Sequence, residues 1–370
     1  MPSRSDIITY FDAGPSALPT AVIENAADAL VNFNGTGLGI AEHSHRSAIA
    51  TKVINGAKDD LAPYLDIPDD YEVLFMHGGG SGEFDDNSVS ILKSELKNLK
   101  MDYIITGSWS QKAAAEAERL FGSEHVNIVA DSRKTNGKFG TIPDESTWNL
   151  SKRAALVFYC DNETLILSRK IPIKNFPAIF FGAQENLGLA GLTCVVIKKS
   201  FLLPATSQPS ATLMRQLGLP IPPRIFEYET IAKNNSLYNT LSIFDVYVAG
   251  QVLKGLLLQH PDKVLGQQAL SEKKAQLIYK ALDAHPDFYK VILDKTVRSR
   301  MNICFRIEAG DAAEEAFLED GTAQGLTGLR GHHSVRGIRA SNYNAIPLDG
   351  AEKLANFIDH FASQRDKSVI

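Results

Sequence analysis

The feature that most constrains this chain is a repeated local pattern: a short apolar run, a glycine turn, then apolar residues at helical spacing. Val73 to Met76 runs into His77-Gly78-Gly79-Gly80-Ser81-Gly82, after which Val89, Leu92, Leu96 and Leu99 fall on one helical face. The unit returns with Asp102 to Ile105 as a strand, Gly107 as its turn and Ser110 to Phe121 as an alanine-rich helix, followed by Val126 to Ala130 as the next strand. Ala154 to Cys160, Ala178 to Phe181 and Thr193 to Ile197 are further candidates for buried strands. Such alternation predicts an α/β fold, with a mainly parallel central sheet flanked by helices. A long helix is expected over Ser242 to Gln259, and beyond it helices alternate with more polar strands, the mark of a smaller α+β domain. The last helix is expected over Asp349 to Ser363, with Asp349 as N-cap, Glu352 three residues on, and Leu354, Phe357, Ile358 and Phe361 on its inner face.

One stretch breaks the pattern. A parallel neighbour after Asn162-Glu163-Thr164 needs a crossover of about a dozen residues, usually helical. Leu165 to Pro177 instead carries Pro172 and Pro177 and shows no helical periodicity. The sheet is therefore expected to be truncated after residue 164.

Composition narrows the partners. A net charge of -5 gives no global attraction to nucleic acid or to an anionic membrane. No apolar run approaches the roughly 18 residues of a membrane span, and the N-terminus lacks the apolar core of a signal peptide. Cys160, Cys194 and Cys304 each sit in an apolar run, where a thiol reads as a small buried hydrophobe. No disulfide framework or metal site is expected, and a cytoplasmic location is the default.

Two features suit a small anion. The glycine turn lets backbone N–H groups converge at the positive end of a helix, although a tight turn without a ligand explains the same glycines and Glu83, Asp85 and Asp86 would repel a phosphate. Arg330, His332, His333, Arg336 and Arg339 form a basic cluster, with His45-Arg46 far upstream. Arginine's planar fork suits phosphorylated or dicarboxylate ligands, while a solvated charged face is the plainer alternative. Without interleaved aromatics the cluster does not resemble a nucleic-acid site.

Taken in order, FDAGPSALP, SHRS, HGGGSG, TGSWS, CDNET, GAQENLGLAG, NNSLYNT, RMNICFRI and IRASNYNA resemble the phosphoserine aminotransferases, class V pyridoxal phosphate enzymes of aminotransferase fold type I, along nearly the whole chain. The resemblance implies a large cofactor domain over 16–255, a small domain formed by 1–15 and 256–370, and a homodimer with shared sites. It implies the transfer of an amino group from glutamate to 3-phosphohydroxypyruvate in serine biosynthesis. Gly80 and Ser81 would meet the cofactor phosphate, Trp109 would stack on its ring, Thr164 would bond its ring hydroxyl and Gln184 its phosphate, while Asn239 and Thr240 would reach that phosphate from the other subunit. His45, Arg46, His332 and Arg339 would receive substrate.

Two departures bear on mechanism. Glu185 stands where the family carries the lysine that forms the Schiff base, and a carboxylate cannot form one. The segment ending in the aspartate that pairs with the pyridine nitrogen is missing after Thr164, the place already short on physical grounds. His333 replaces an arginine, and Arg336 replaces a glycine. These departures imply lost or severely impaired transamination, with no confident catalytic residue. The alternatives are an active transaminase with an altered site, one of Lys170, Lys174, Lys198 or Lys199 taking over, or a non-catalytic dimerising, anion-binding protein. Loss of one contiguous block also resembles a missed exon, which would explain the segment but not Glu185.

Overall fold

The computed structural model describes residues 8–79, 100–137, 139, 141–152, 154, 156–159, 166–202, 211–216, 218, 220–331 and 337–366. The glycine turn from Gly80, the helix expected after it, Cys160 to Thr164 and His332 to Arg336 lie outside these residues.

Strand β1 (Thr9–Tyr10) is followed by helices α1 (Thr20–Val31) and α2 (Ala48–Tyr64), the latter capped by the Ser47 hydroxyl, which accepts from Ala50 N at 3.2 Å. Next come β2 (Tyr71–Met76), β3 (Met101–Ile105), α3 (Ser108–Phe121), β4 (Val126–Asp131), β5 (Leu156–Tyr159), β6 (Ala178–Gly182) and β7 (Thr193–Lys198). Helix α4 (Ile243–Gln259) follows, capped by Ser242. It is apolar on most sides because it is packed on most sides: Gly250 lets it approach Ala57 of α2, where an added Cβ would lie 3.6 Å from the alanine's.

The sheet comes in two pieces. Strands β4-β3-β5 are parallel, as the alternation predicts. Strand β7 runs antiparallel between β2 and β6, with Val73 opposite Val196 and Ile179 opposite Val196 on the other side. Among the described residues no ladder joins β5 to β6, although the Phe158 and Phe180 rings lie side by side with centroids 6.3 Å apart. The division falls where the sequence is short of a strand and crossover. Residues 166–177 contain one short helical turn and no α-helix. Amide exchange of Leu156–Tyr159 and Ala178–Gly182, each with one edge unpaired among the described residues, is expected to be faster than that of β3 and β7, which are paired on both sides. Equal protection of the four strands in native-state exchange would contradict the division.

The chain continues through α5 (Val264–Ala284), β8 (Tyr289–Val291), β9 (Asn302–Ile307), α6 (Asp311–Ala323), β10 (Leu326–Thr327), β11 (Ile338–Ser341) and α7 (Leu348–Asp366). Strand β9 lies between β11 and β8, antiparallel to both, and its alternation turns Ile303, Phe305 and Ile307 into a second core with α5, α6 and α7. The N-terminal segment joins this core through Phe11 and through β1, which pairs with β10.

Two expectations need correction. Asp349 is not the cap of the last helix: α7 already begins at Leu348, directly after Pro347, and the Asp349 carboxylate accepts from Gly350 N at 2.8 Å inside the first turn. Ala351 N already donates to Pro347 O at 3.3 Å, so the first turn starts before Asp349 and Asp349 does not stand as its N-cap. Cys194 is buried as expected, but Cys304 is only half-buried, because it lies on the face of β9 opposite Ile303 and Phe305. Among the described residues no helix is long and apolar enough to cross a membrane, and no cluster of possible metal ligands occurs.

Candidate functional site

The tight turn 183–188 between β6 and β7 is built by its own backbone. Leu187 N and Gly188 N both donate to Ala183 O, at 3.1 and 2.7 Å, and Ala183 N donates to Leu192 O at 2.9 Å. Three separate segments then hold it. Ser16 donates through its N–H to Gln184 O (3.1 Å) and through its hydroxyl to Glu185 O (2.7 Å). The Asn186 amide donates to Ile166 O at 3.2 Å, and its carbonyl oxygen accepts from Asn344 N at 2.9 Å. Asn344 in turn donates to Leu167 O at 3.1 Å. Residue 185 is thereby fixed where the N-terminal loop, the turn at 166–168 and the loop before α7 meet.

The half-buried Glu185 carboxylate has charged and polar neighbours. Burial pushes the Tyr343 hydroxyl above the usual phenol range, the Glu185 charge adds to that rise, and Arg339 opposes it. Tyr343 is 1% exposed, and neither its hydroxyl nor Arg339 Nε makes a well-formed hydrogen bond among the described residues. Arg339 Nη2 lies 3.9 Å from Asp12 Oδ1. Nearby, the Asp245 carboxyl in the first turn of α4 is pushed up by burial, with His77 at the end of β2 opposing the shift.

The other expected site residues fall as follows. Trp109 lies in the first turn of α3 with its indole 40% exposed and Lys112 Nζ 4.4 Å from the ring centroid. Gln184 folds its amide back over Gly182, where a Cβ would come within 2.1 Å of Oε1, so a side chain at 182 would displace that amide. Asn239 and Thr240 are exposed before α4, with Asn239 Oδ1 accepting from Thr240 N at 2.8 Å. His45 is half-buried with Nε2 unpartnered among the described residues, and Arg46 is exposed. Gly80, Ser81, Thr164 and His332 lie outside the described residues.

Of the basic cluster, the two described arginines part company. Arg330 reaches out to Glu315 at 2.6 Å, both exposed, whereas Arg339 turns inward. Register explains the split: Arg339 lies within β11, opposite Cys304, while Arg330 stands before that strand. The four lysines considered as substitutes also point elsewhere. Lys170 and Lys198 lie 3.9 and 3.7 Å from Asp66 and Asp70, Lys199 donates to Asp69 O, and Lys174 is exposed. Tyr343, Ser16, Asn186 and Asn344 had not been picked out, although all four lie within motifs already quoted; nothing local marks them, because their partners are more than 150 residues away or across the site.

The fold is an α/β chain with a large core around α4 and a second core around α5, α6 and α7, and the class-V aminotransferase family model matches residues 8–166 and 123–354. Phosphoserine aminotransferase of Saccharomyces cerevisiae is 41% identical, across 96% of this chain and 97% of its own length. The solved phosphoserine aminotransferase of Bacillus circulans subsp. alkalophilus superposes with a TM-score of 0.85 at 34% identity, covering 98% of this chain and 100% of that one. A pyridoxal phosphate-bound phosphoserine aminotransferase from Trichomonas vaginalis gives 0.82 at 30% identity, covering 95% and 99%. The chain belongs to the phosphoserine aminotransferase family. The yeast alignment runs over 389 positions, more than the 370 residues here, so that relative has residues without a counterpart in this chain.

The family's cofactor is pyridoxal phosphate, and the described residues fit it in part. Trp109 offers a partly exposed ring with Lys112 over it, and Gln184, Asn239 and Thr240 offer amides and a hydroxyl. Residue 185 brings a carboxylate to the turn, while Lys170, Lys198 and Lys199 are engaged with Asp66, Asp70 and the Asp69 carbonyl.

Proposed function

We propose that this chain is a phosphoserine aminotransferase homologue in which transamination between glutamate and 3-phosphohydroxypyruvate is lost or severely impaired, leaving a pocket that binds small phosphorylated ligands. The observation carrying this reading is the fixed turn 183–188, which holds a carboxylate, that of Glu185, at the meeting point of three segments of the chain. A carboxylate is no nucleophile toward an aldehyde in the sense that a lysine amine is, so the covalent step has no group to perform it. The break between β5 and β6 supports the same reading, since a site assembled at strand ends needs those strands held in register. Chemically, the residues that remain bind and orient: Arg339 meets an anionic group, Trp109 covers a planar ring, and Gln184 offers an amide.

The reading includes the division into 16–255 and 1–15 with 256–370, which the two hydrophobic cores support. It also includes a homodimer, supported by Asn239 and Thr240 standing exposed on their own subunit where a second one could use them. A cytoplasmic place is proposed from cysteine usage and from the family's part in amino-acid biosynthesis.

The test is borohydride reduction of the purified chain after incubation with pyridoxal phosphate, read by intact and peptide mass. The expected result is no stoichiometric adduct on the unmutated chain, and a new adduct at position 185 in Glu185→Lys. A stoichiometric adduct on any lysine of the unmutated protein would show that another amine has taken over and that the chain is an active-site variant, not an inactive one.

A further inference from the structure

We propose that Lys274 is a positioning residue for the turn 183–188: from the second core it fixes the loop 343–346, and through that loop it fixes the turn in the first core. The inference rests on the reading above only in taking the turn as part of the pocket, and goes beyond it by naming what holds that part in place.

A lysine amine inside a core has to find acceptors, because a buried polar group without partners costs far more than a hydrogen bond returns. Lys274 in α5 is fully buried. Its Nζ donates to Tyr343 O at 2.7 Å and to Ile346 O at 2.8 Å, so it grips the loop on both sides of Asn344. The loop closes on itself between the same two residues, with Ile346 N donating to Tyr343 O at 3.0 Å. An apolar side chain would fill the same space; the amine adds the two bonds.

Asn344, held between the gripped carbonyls, makes its own bonds to the other core. Its N–H donates to Asn186 Oδ1 in the turn at 2.9 Å, and its amide donates to Leu167 O at 3.1 Å. The Asn186 amide completes the link by donating to Ile166 O at 3.2 Å. Leu167 itself has a φ of 64°, rare for a leucine, and its carbonyl also accepts from the Tyr64 hydroxyl at 3.1 Å. Such a conformation persists where surrounding contacts over-determine it. Helix α5 reaches this segment a second time, since Lys170 N donates to Gln268 Oε1 at 3.0 Å. One helix of the second core thus supports both segments to which Asn186 is bonded.

The test is native-state amide exchange of the full-length chain at Leu187 and Gly188, whose N–H groups close the turn, with β3 as the reference. The unmutated protein is compared with Lys274→Met, Asn186→Ala and the double variant. Lys274→Met should speed exchange at the turn at least about tenfold more than at β3, the scale of the hydrogen bonds removed. In the Asn186→Ala background the same substitution should add less than about threefold at the turn, because the link from the loop is already cut. Equal acceleration at the turn and at β3, or full additivity in the double variant, would make Lys274 a general core residue and overturn the inference. Should Lys274→Met fail to fold, Lys274→Gln, with an amide donor for one of the carbonyls, is judged by the same two comparisons. No ligand enters this measurement, so it fails or succeeds separately from the borohydride result: an adduct on a native lysine would sink the earlier reading and leave the exchange pattern as it is.

Discussion

Lys274→Ala is expected to cost about 3–5 kcal/mol of stability, measured by urea denaturation, because it removes a buried stem and leaves two carbonyls without their donor. Lys274 lies in α5 and is fully buried. Its ammonium donates to Tyr343 O at 2.7 Å and to Ile346 O at 2.8 Å, tying α5 to the loop that carries Asn344. Burial pulls its pKa down from 10.5 to about 7. The sign of the pH effect follows. Between pH about 7 and 10.5 the unfolded chain binds a proton at this lysine that the folded chain has released, so its contribution to stability rises with pH across that window and is smallest below about 7. Lys274→Met, which keeps most of the volume, should lose this rising component. If wild type and Lys274→Met show parallel stability profiles from pH 7 to 10, the buried amine is not the source.

Phe317→Ala should be comparably severe, about 3–5 kcal/mol, whereas Phe317→Leu should cost less than about 1.5. Phe317 in α6 is fully buried and is the common neighbour of the second core's aromatic rings. Its ring centroid lies 4.7 Å from Phe357, 5.0 Å from Phe361, 5.7 Å from Phe305 and 6.3 Å from Tyr289. Most of these contacts are edge-to-face, the arrangement that ring quadrupoles favour. Alanine would open a void between two helices and a sheet, elements too constrained by their own hydrogen bonds to collapse into it. A loss below about 1 kcal/mol in the alanine variant would show that the core relaxes around the gap and that Phe317 is not its centre.

Much of this could be read from local pattern. Strands β2, β3, β4, β6 and β7 and helices α3 and α4 follow from apolar runs, glycine turns and helical spacing, which are properties of neighbouring residues. Pairing direction is not such a property: β7 resembles its neighbours in composition, yet runs antiparallel. The Asp349 cap was misplaced because an aspartate before an apolar face looks the same whether or not Pro347 has already started the helix. Arg330 and Arg339 are nine residues apart in one basic stretch, and only the register of β11 separates the one that turns outward from the one that turns in. Glu185 by itself is an ordinary turn residue. It gains meaning from the family resemblance, and its surroundings come from Ser16 and Asn344, at opposite ends of the chain.

The separation of β5 from β6 also bears on how the molecule comes apart. A continuous sheet transmits the opening of one strand to the next through shared hydrogen bonds, so its strands melt together. Among the described residues the Phe158 and Phe180 rings bridge the two panels without a ladder, and a ring contact yields more readily than a ladder. The β4-β3-β5 panel with α3 is thus expected to open at lower free energy than β2-β7-β6 with α4, and native-state exchange would show the two panels as separate steps.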